Sequence, residues 1–132
     1  MRPTEPERIP FVAVVDDDEA LCSSVADLMR SIGYRAEPFA TAEGLLASPN
    51  LLLFDCIIAD VHMPGTSGIT LIRKLRDQRG TAPVILITAL LDKKLDDEAV
   101  AVGAQRLLRK PFETQALLDC VERSLSSERP SQ

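Results

Sequence analysis

Three short, unbroken apolar runs constrain this chain more than any other feature: FVAVV (11–15), CIIA (56–59) and PVILI (83–87). Each is short for a buried helix and none alternates with polar residues, so each is expected to be a strand covered on both faces. Between them the hydrophobic period changes to that of a helix. Leu21, Val25, Leu28 and Ile32 share one helical face, with Gly33 as a stop. TAEGLLAS opens a short helix with a Thr cap. Gly68, Ile72 and Leu75 lead to Gly80, and Leu95, Ala99 and Val102 lead to Gly103; a last helix carries Leu117, Val121 and Leu125. Two poorer strands complete the pattern: YRAEPFA, interrupted by charge and Pro38, and RLLRK, bounded by charge.

Strand and helix alternating five times argue for an α/β, (βα)5, doubly wound fold, with a parallel sheet and helices on both faces. The second and fifth strands are the charged ones and belong at the edges. The flavodoxin-like order 2-1-3-4-5 puts them there and keeps the apolar strands inside.

The 132 residues suit one domain. Residues 1–10, rich in Pro and Glu, read as a disordered leader, 11–126 as the domain, and 127–132 as a tail or linker. A net charge of −5 argues against direct nucleic-acid binding or attraction to an anionic membrane. No run approaches a membrane span and the start has no apolar signal region, so a soluble, cytoplasmic protein is expected. Cys22, Cys56 and Cys120 are odd in number and in no metal-type spacing, and read as free, mostly buried thiols.

The chemistry is expected where the strands end. The first stops at Asp16 and Asp17, the third at Asp60, the fourth at Thr88 and the fifth at Lys110. In a parallel sheet these ends share one rim, and the first and third strands flank the crevice at the switch point. Carboxylates gathered there suggest a cation, and a small all-oxygen set suits Mg2+ better than Ca2+. Zinc would want His or Cys, and His62 is the single histidine. Asp60 has acids on one side and Thr88 and Lys110 on the other. A carboxylate so placed can form an acyl phosphate when a metal and a cation neutralise the phosphoryl oxygens. Lys110 precedes Pro111, where a cis bond would turn the chain sharply at the site.

VVDDDEA, IIADVHMPGTSG, VILITA and LLRKPF, in that order at those strand ends, resemble the receiver domain of two-component response regulators over about residues 11–126. The resemblance implies Asp60 as phosphoacceptor, Asp17 as a direct Mg2+ ligand, Asp16 as a second acid and the His62 backbone carbonyl as a further metal contact. Thr88 matches the switch hydroxyl and Lys110 the phosphate-binding lysine. A sensor histidine kinase is implied as donor, and the DVHMPGTSG wording resembles receivers joined to DNA-binding outputs. A downstream protein or a phosphorylation-dependent homodimer would be controlled through the face of helix 4, strand 5 and helix 5. Such a domain is a signalling switch, not an enzyme with turnover on other substrates. The family usually places Tyr or Phe three residues before the lysine; here that position is Leu107.

Each feature has a plainer explanation in isolation. Asp18 and Glu19 are read as complements to a helix dipole. Gly65 and Gly68 are read as turn and helix-start residues, the His62 ring as solvated, and Arg73, Lys74, Arg76 and Arg79 as a solvated helix face. For Asp16 and Asp17 the helix-dipole reading equals metal binding until Asp60 is placed beside them. A Mg2+-dependent phosphatase would want an acid two residues after Asp60, where His62 stands. The alternative that remains is a receiver-like interaction module working without phosphorylation. The complete set Asp16, Asp17, Asp60, Thr88 and Lys110 favours the switch.

Overall fold

The computed structural model describes residues 8–127. Five strands alternate with five helices: β1 Phe11–Val15, α1 Glu19–Ser31, β2 Arg35–Phe39, α2 Ala42–Leu46, β3 Cys56–Asp60, α3 Gly68–Asp77, β4 Val84–Thr88, α4 Lys93–Ala101, β5 Arg106–Arg109 and α5 Thr114–Ser127. All pairings are parallel and the order is β2-β1-β3-β4-β5. Every residue of β1, β3 and β4 is buried, whereas β2 and β5 keep exposed or half-buried positions. The two charged strands are therefore the edges, as their composition demands.

Because side chains alternate along a strand, the apolar strands feed two cores. Phe11, Ala13, Val15, Ile57 and Ala59 face α2, α3 and α4, packing with Leu45, Ile72, Leu75 and Leu95. Val12, Val14, Cys56, Ile58 and Ile85 face α1 and α5, packing with Val25, Met29, Leu117 and Val121. All three cysteines are buried in this second core and none is in a disulfide among the described residues.

Helix α1 departs from the expected face. Its buried stripe is Cys22, Val25, Ala26 and Met29. Leu21 and Leu28 are only partly buried at its flank, and Ile32 is 44% exposed. The helix lies on the sheet along a row of mostly smaller side chains, and the larger leucines cover its edges.

The loops that follow the strands are shaped by caps. The side chains of Asp18, Thr41, Ser67 and Asp92 each accept a backbone N–H in the first turn of α1, α2, α3 and α4. Three of these caps follow β1, β3 and β4 on the carboxyl rim, so the chain turns abruptly there and leaves the strand-end residues facing the crevice. The expected leader and tail lie mostly outside the described residues.

Candidate functional site

Strands β1 and β3 are direct neighbours, with Val15 opposite Ala59, so Asp16 and Asp60 meet at the rim although 44 residues separate them. One carboxylate oxygen each from Asp16, Asp17 and Asp60 lies within 4.8 Å of the others. Asp16 and Asp60 are buried and Asp17 is exposed. Lys110, just past β5, reaches across β4 to bring its Nζ within 3.3 Å of Asp60 Oδ2 and 3.6 Å of Asp16 Oδ2. The Lys110–Pro111 peptide bond is cis.

One lysine for three carboxylates leaves an excess of negative charge. Burial pushes the Asp16 carboxyl above the usual range, and the neighbouring charges of Asp60 and Asp17 add to this. The Asp18 N–H, donating to Asp16 Oδ1 at 2.9 Å, and Lys110 offset only part of it. Burial works against the charge on Lys110, but Asp60 and Asp16 outweigh it and raise the ammonium above the ordinary lysine value. The donor set, three carboxylates and no imidazole or thiol, fits a hard divalent cation that keeps part of its water.

The remaining expected residues have defined places. The His62 backbone N–H donates to Asp60 Oδ1 at 3.1 Å and its side chain is exposed. Thr88 is fully buried at the end of β4, and its hydroxyl accepts the Leu90 N–H at 3.1 Å. Leu107 is half-buried on β5 and packs against the core shared with α4. Asp18 caps α1, and Arg73, Lys74, Arg76 and Arg79 are exposed.

Reading the sequence missed three side chains. Glu43, in α2, reaches the loop after β3 and accepts from the Thr66 hydroxyl at 2.6 Å. Arg109, next to Lys110, donates to both carboxylate oxygens of Asp96 at 2.7 and 2.8 Å and ties β5 to α4. Asp55, just before β3, is buried and accepts from Arg8 and the Phe11 N–H. Each contact joins separate elements, and no local pattern announces it.

Comparison with known proteins agrees with this fold. The family described as response regulator receiver domain matches residues 12–122. The transcriptional regulatory protein FixJ of Bradyrhizobium diazoefficiens is 33% identical over 120 residues, covering 91% of this chain and 58% of that protein. The response regulator protein TmoT of Ectopseudomonas mendocina is 34% identical, covering 86% of this chain and 52% of that protein. The chain thus spans a little over half the length of these curated relatives. Among solved structures, the chemotaxis protein CheY4 of Vibrio cholerae superposes with a TM-score of 0.83 at 31% identity, over 89% of this chain and all of that one. FixJ-N does so with a TM-score of 0.82 at 30% identity, over 92% of this chain and 97% of that one. Fold and sequence agree, and the chain belongs to the response regulator receiver family.

Proposed function

We infer that the chain is a phosphorylation-controlled switch in which Asp60 accepts a phosphoryl group from the phosphohistidine of a sensor histidine kinase. The observation that carries this reading is the convergence of Asp60 with Lys110, 3.3 Å away, and with the Asp16 and Asp17 carboxylates. An Asp60 oxygen attacks phosphorus, the P–N bond breaks, and its electron pair returns to the donor imidazole, which takes up a proton from solvent. Asp16, Asp17, Asp60 and the His62 carbonyl would hold Mg2+, which when bound neutralises charge on the transferred group. Lys110 supplies the second positive charge to the phosphoryl oxygens. The product is an acyl phosphate on this chain itself, so the domain, over residues 11–126, is a switch and not an enzyme acting on other substrates.

Phosphorylation replaces the Asp60 carboxylate charge with a phosphoryl group carrying about −1.5 to −2, so the rim gains at most about one further negative charge and three strong acceptor oxygens. The Thr88 hydroxyl, which accepts from Leu90, turns to donate to the new oxygens and draws the loop toward α4 with it. Leu107 is small enough to fit either state, so the signal to the face of α4, β5 and α5 runs through Thr88 and the backbone. A relative named as a transcriptional regulatory protein supports control of a transcriptional output; a downstream protein or a homodimer would be controlled through the same face. The described residues contain no helix long and apolar enough to cross a membrane.

Incubation with labelled acetyl phosphate and Mg2+ tests this. Label that survives alkali or hydroxylamine, or that persists in Asp60→Asn, sinks the assignment; loss of label in an Asp60→Asn variant that keeps its fold supports it against the phosphate-independent interaction module.

A further inference from the structure

The segment joining β3 to α3, residues 61–67, carries His62. Backbone contacts hold its two ends: the Val61 N–H donates to the Ile87 carbonyl at 2.8 Å and the Gly68 N–H to the Val61 carbonyl at 3.0 Å. A Cβ on Gly68 would stand 2.7 Å from the Asp60 carbonyl oxygen, so α3 starts hard against the acid-bearing strand. Between those ends, Thr66 makes two hydrogen bonds to one side chain from another element. Glu43 Oε2 accepts the Thr66 N–H at 3.2 Å and the Thr66 hydroxyl at 2.6 Å. Gly65 lies beside the same oxygen with φ +82, and a Cβ there would approach it to 3.0 Å. Thr66 itself is buried.

The Thr66 hydroxyl, first among several causes, pulls the Glu43 carboxyl below its usual range, and Lys74 on α3 adds to this. The clamp is therefore a charge-assisted contact, the stronger kind of hydrogen bond. Glu43 is exposed, so the contact adds little to global stability. Its leverage is local, because it adds a fixed point at Thr66, near the α3 end of a loop anchored at Val61 and Gly68.

We propose that Glu43 is a positioning residue for the phosphorylation site: by clamping Thr66 it sets the loop that bears His62 and thereby the affinity of the acid rim for a divalent cation. This rests on the reading of Asp16, Asp17, Asp60 and His62 as the metal site. Losing a group that orients a ligand typically costs about 10–100-fold in metal affinity, and for a backbone ligand held at one remove the lower figure applies.

Calorimetric titration of Mg2+ into the chain and its variants tests the proposal, together with amide hydrogen exchange at residues 63–67 in chelator. Glu43→Ala and Thr66→Val are each expected to weaken Mg2+ binding about tenfold and to speed exchange at Thr66 without metal. Thr66→Ser, which keeps the hydroxyl, should restore both, and the double variant should be no worse than either single one. Equal Mg2+ affinity in Glu43→Ala and the unchanged chain overturns the role of Glu43 alone. An unchanged chain that binds no Mg2+, or an Asp17→Asn variant that binds it normally, overturns the metal reading and this inference with it. Should Glu43→Ala fail to fold, Thr66→Val against Thr66→Ser decides the same question: equal affinity in those two overturns the clamp.

Discussion

Strand β3 is bracketed by two buried aspartates, Asp55 just before it and Asp60 at its end, and their surroundings are opposite. Their exposures, 6% and 7%, are nearly the same. Asp55 accepts the Phe11 N–H at 2.8 Å and two nitrogens of the Arg8 guanidinium, one at 3.1 Å. Asp60 shares one lysine with Asp16 and has Asp17 close by. The first carboxylate is neutralised and locks the amino-end rim, where Arg35 also lies over the Phe11 ring. The second stands among like charges that the protein by itself does not balance. Burial of an acid is therefore no sign of chemistry; unbalanced charge at a crevice is.

The contrast predicts opposite responses to removing a carboxylate. The largest effect is expected at the amino end. Asp55→Ala leaves the buried Phe11 N–H without its acceptor and should lower unfolding free energy by about 2 kcal/mol, with or without Mg2+. Asp55→Asn, which keeps an acceptor, should lose less. Urea denaturation measures both, and an Asp55→Ala variant as stable as the parent would erase the distinction between the two rims.

At the carboxyl end the sign should reverse. Asp17→Asn removes a charge that repels Asp16, so in chelator the variant should be more stable, by no more than about 1 kcal/mol because Asp17 is exposed. Mg2+ should then raise the melting temperature of the parent and not that of the variant. A variant that melts lower in chelator contradicts the account.

The smallest effect concerns Glu43 and sharpens the comparison, since this is a paired acid bound to the loop that follows Asp60. Its carboxyl is depressed in the folded state, mainly by the Thr66 hydroxyl. The linked stability is therefore present above the ordinary value of 4.5 and is lost as pH falls through the lower, folded value. Glu43→Gln should melt below the parent at neutral pH, and the gap should close on acidification below 4.5. A gap that stays constant with pH would remove the ionised carboxylate from the contact.

Much of this was legible from local sequence. Strand and helix periods are properties of neighbouring residues, so FVAVV, CIIA and PVILI mark interior strands before any contact is known. Parallel topology then carries Asp16, Asp17, Asp60, Thr88 and Lys110 to one rim, because every strand ends on the same side. Tertiary structure decided the rest. The row Cys22, Val25, Ala26 and Met29 became the buried face of α1 because packing on the sheet selects the stripe, and α1 is apolar on more than one side. The partners of Asp55 and Thr66 lie 47 and 23 residues away. Such pairs depend on side-chain reach across folded elements, which one-dimensional spacing does not encode.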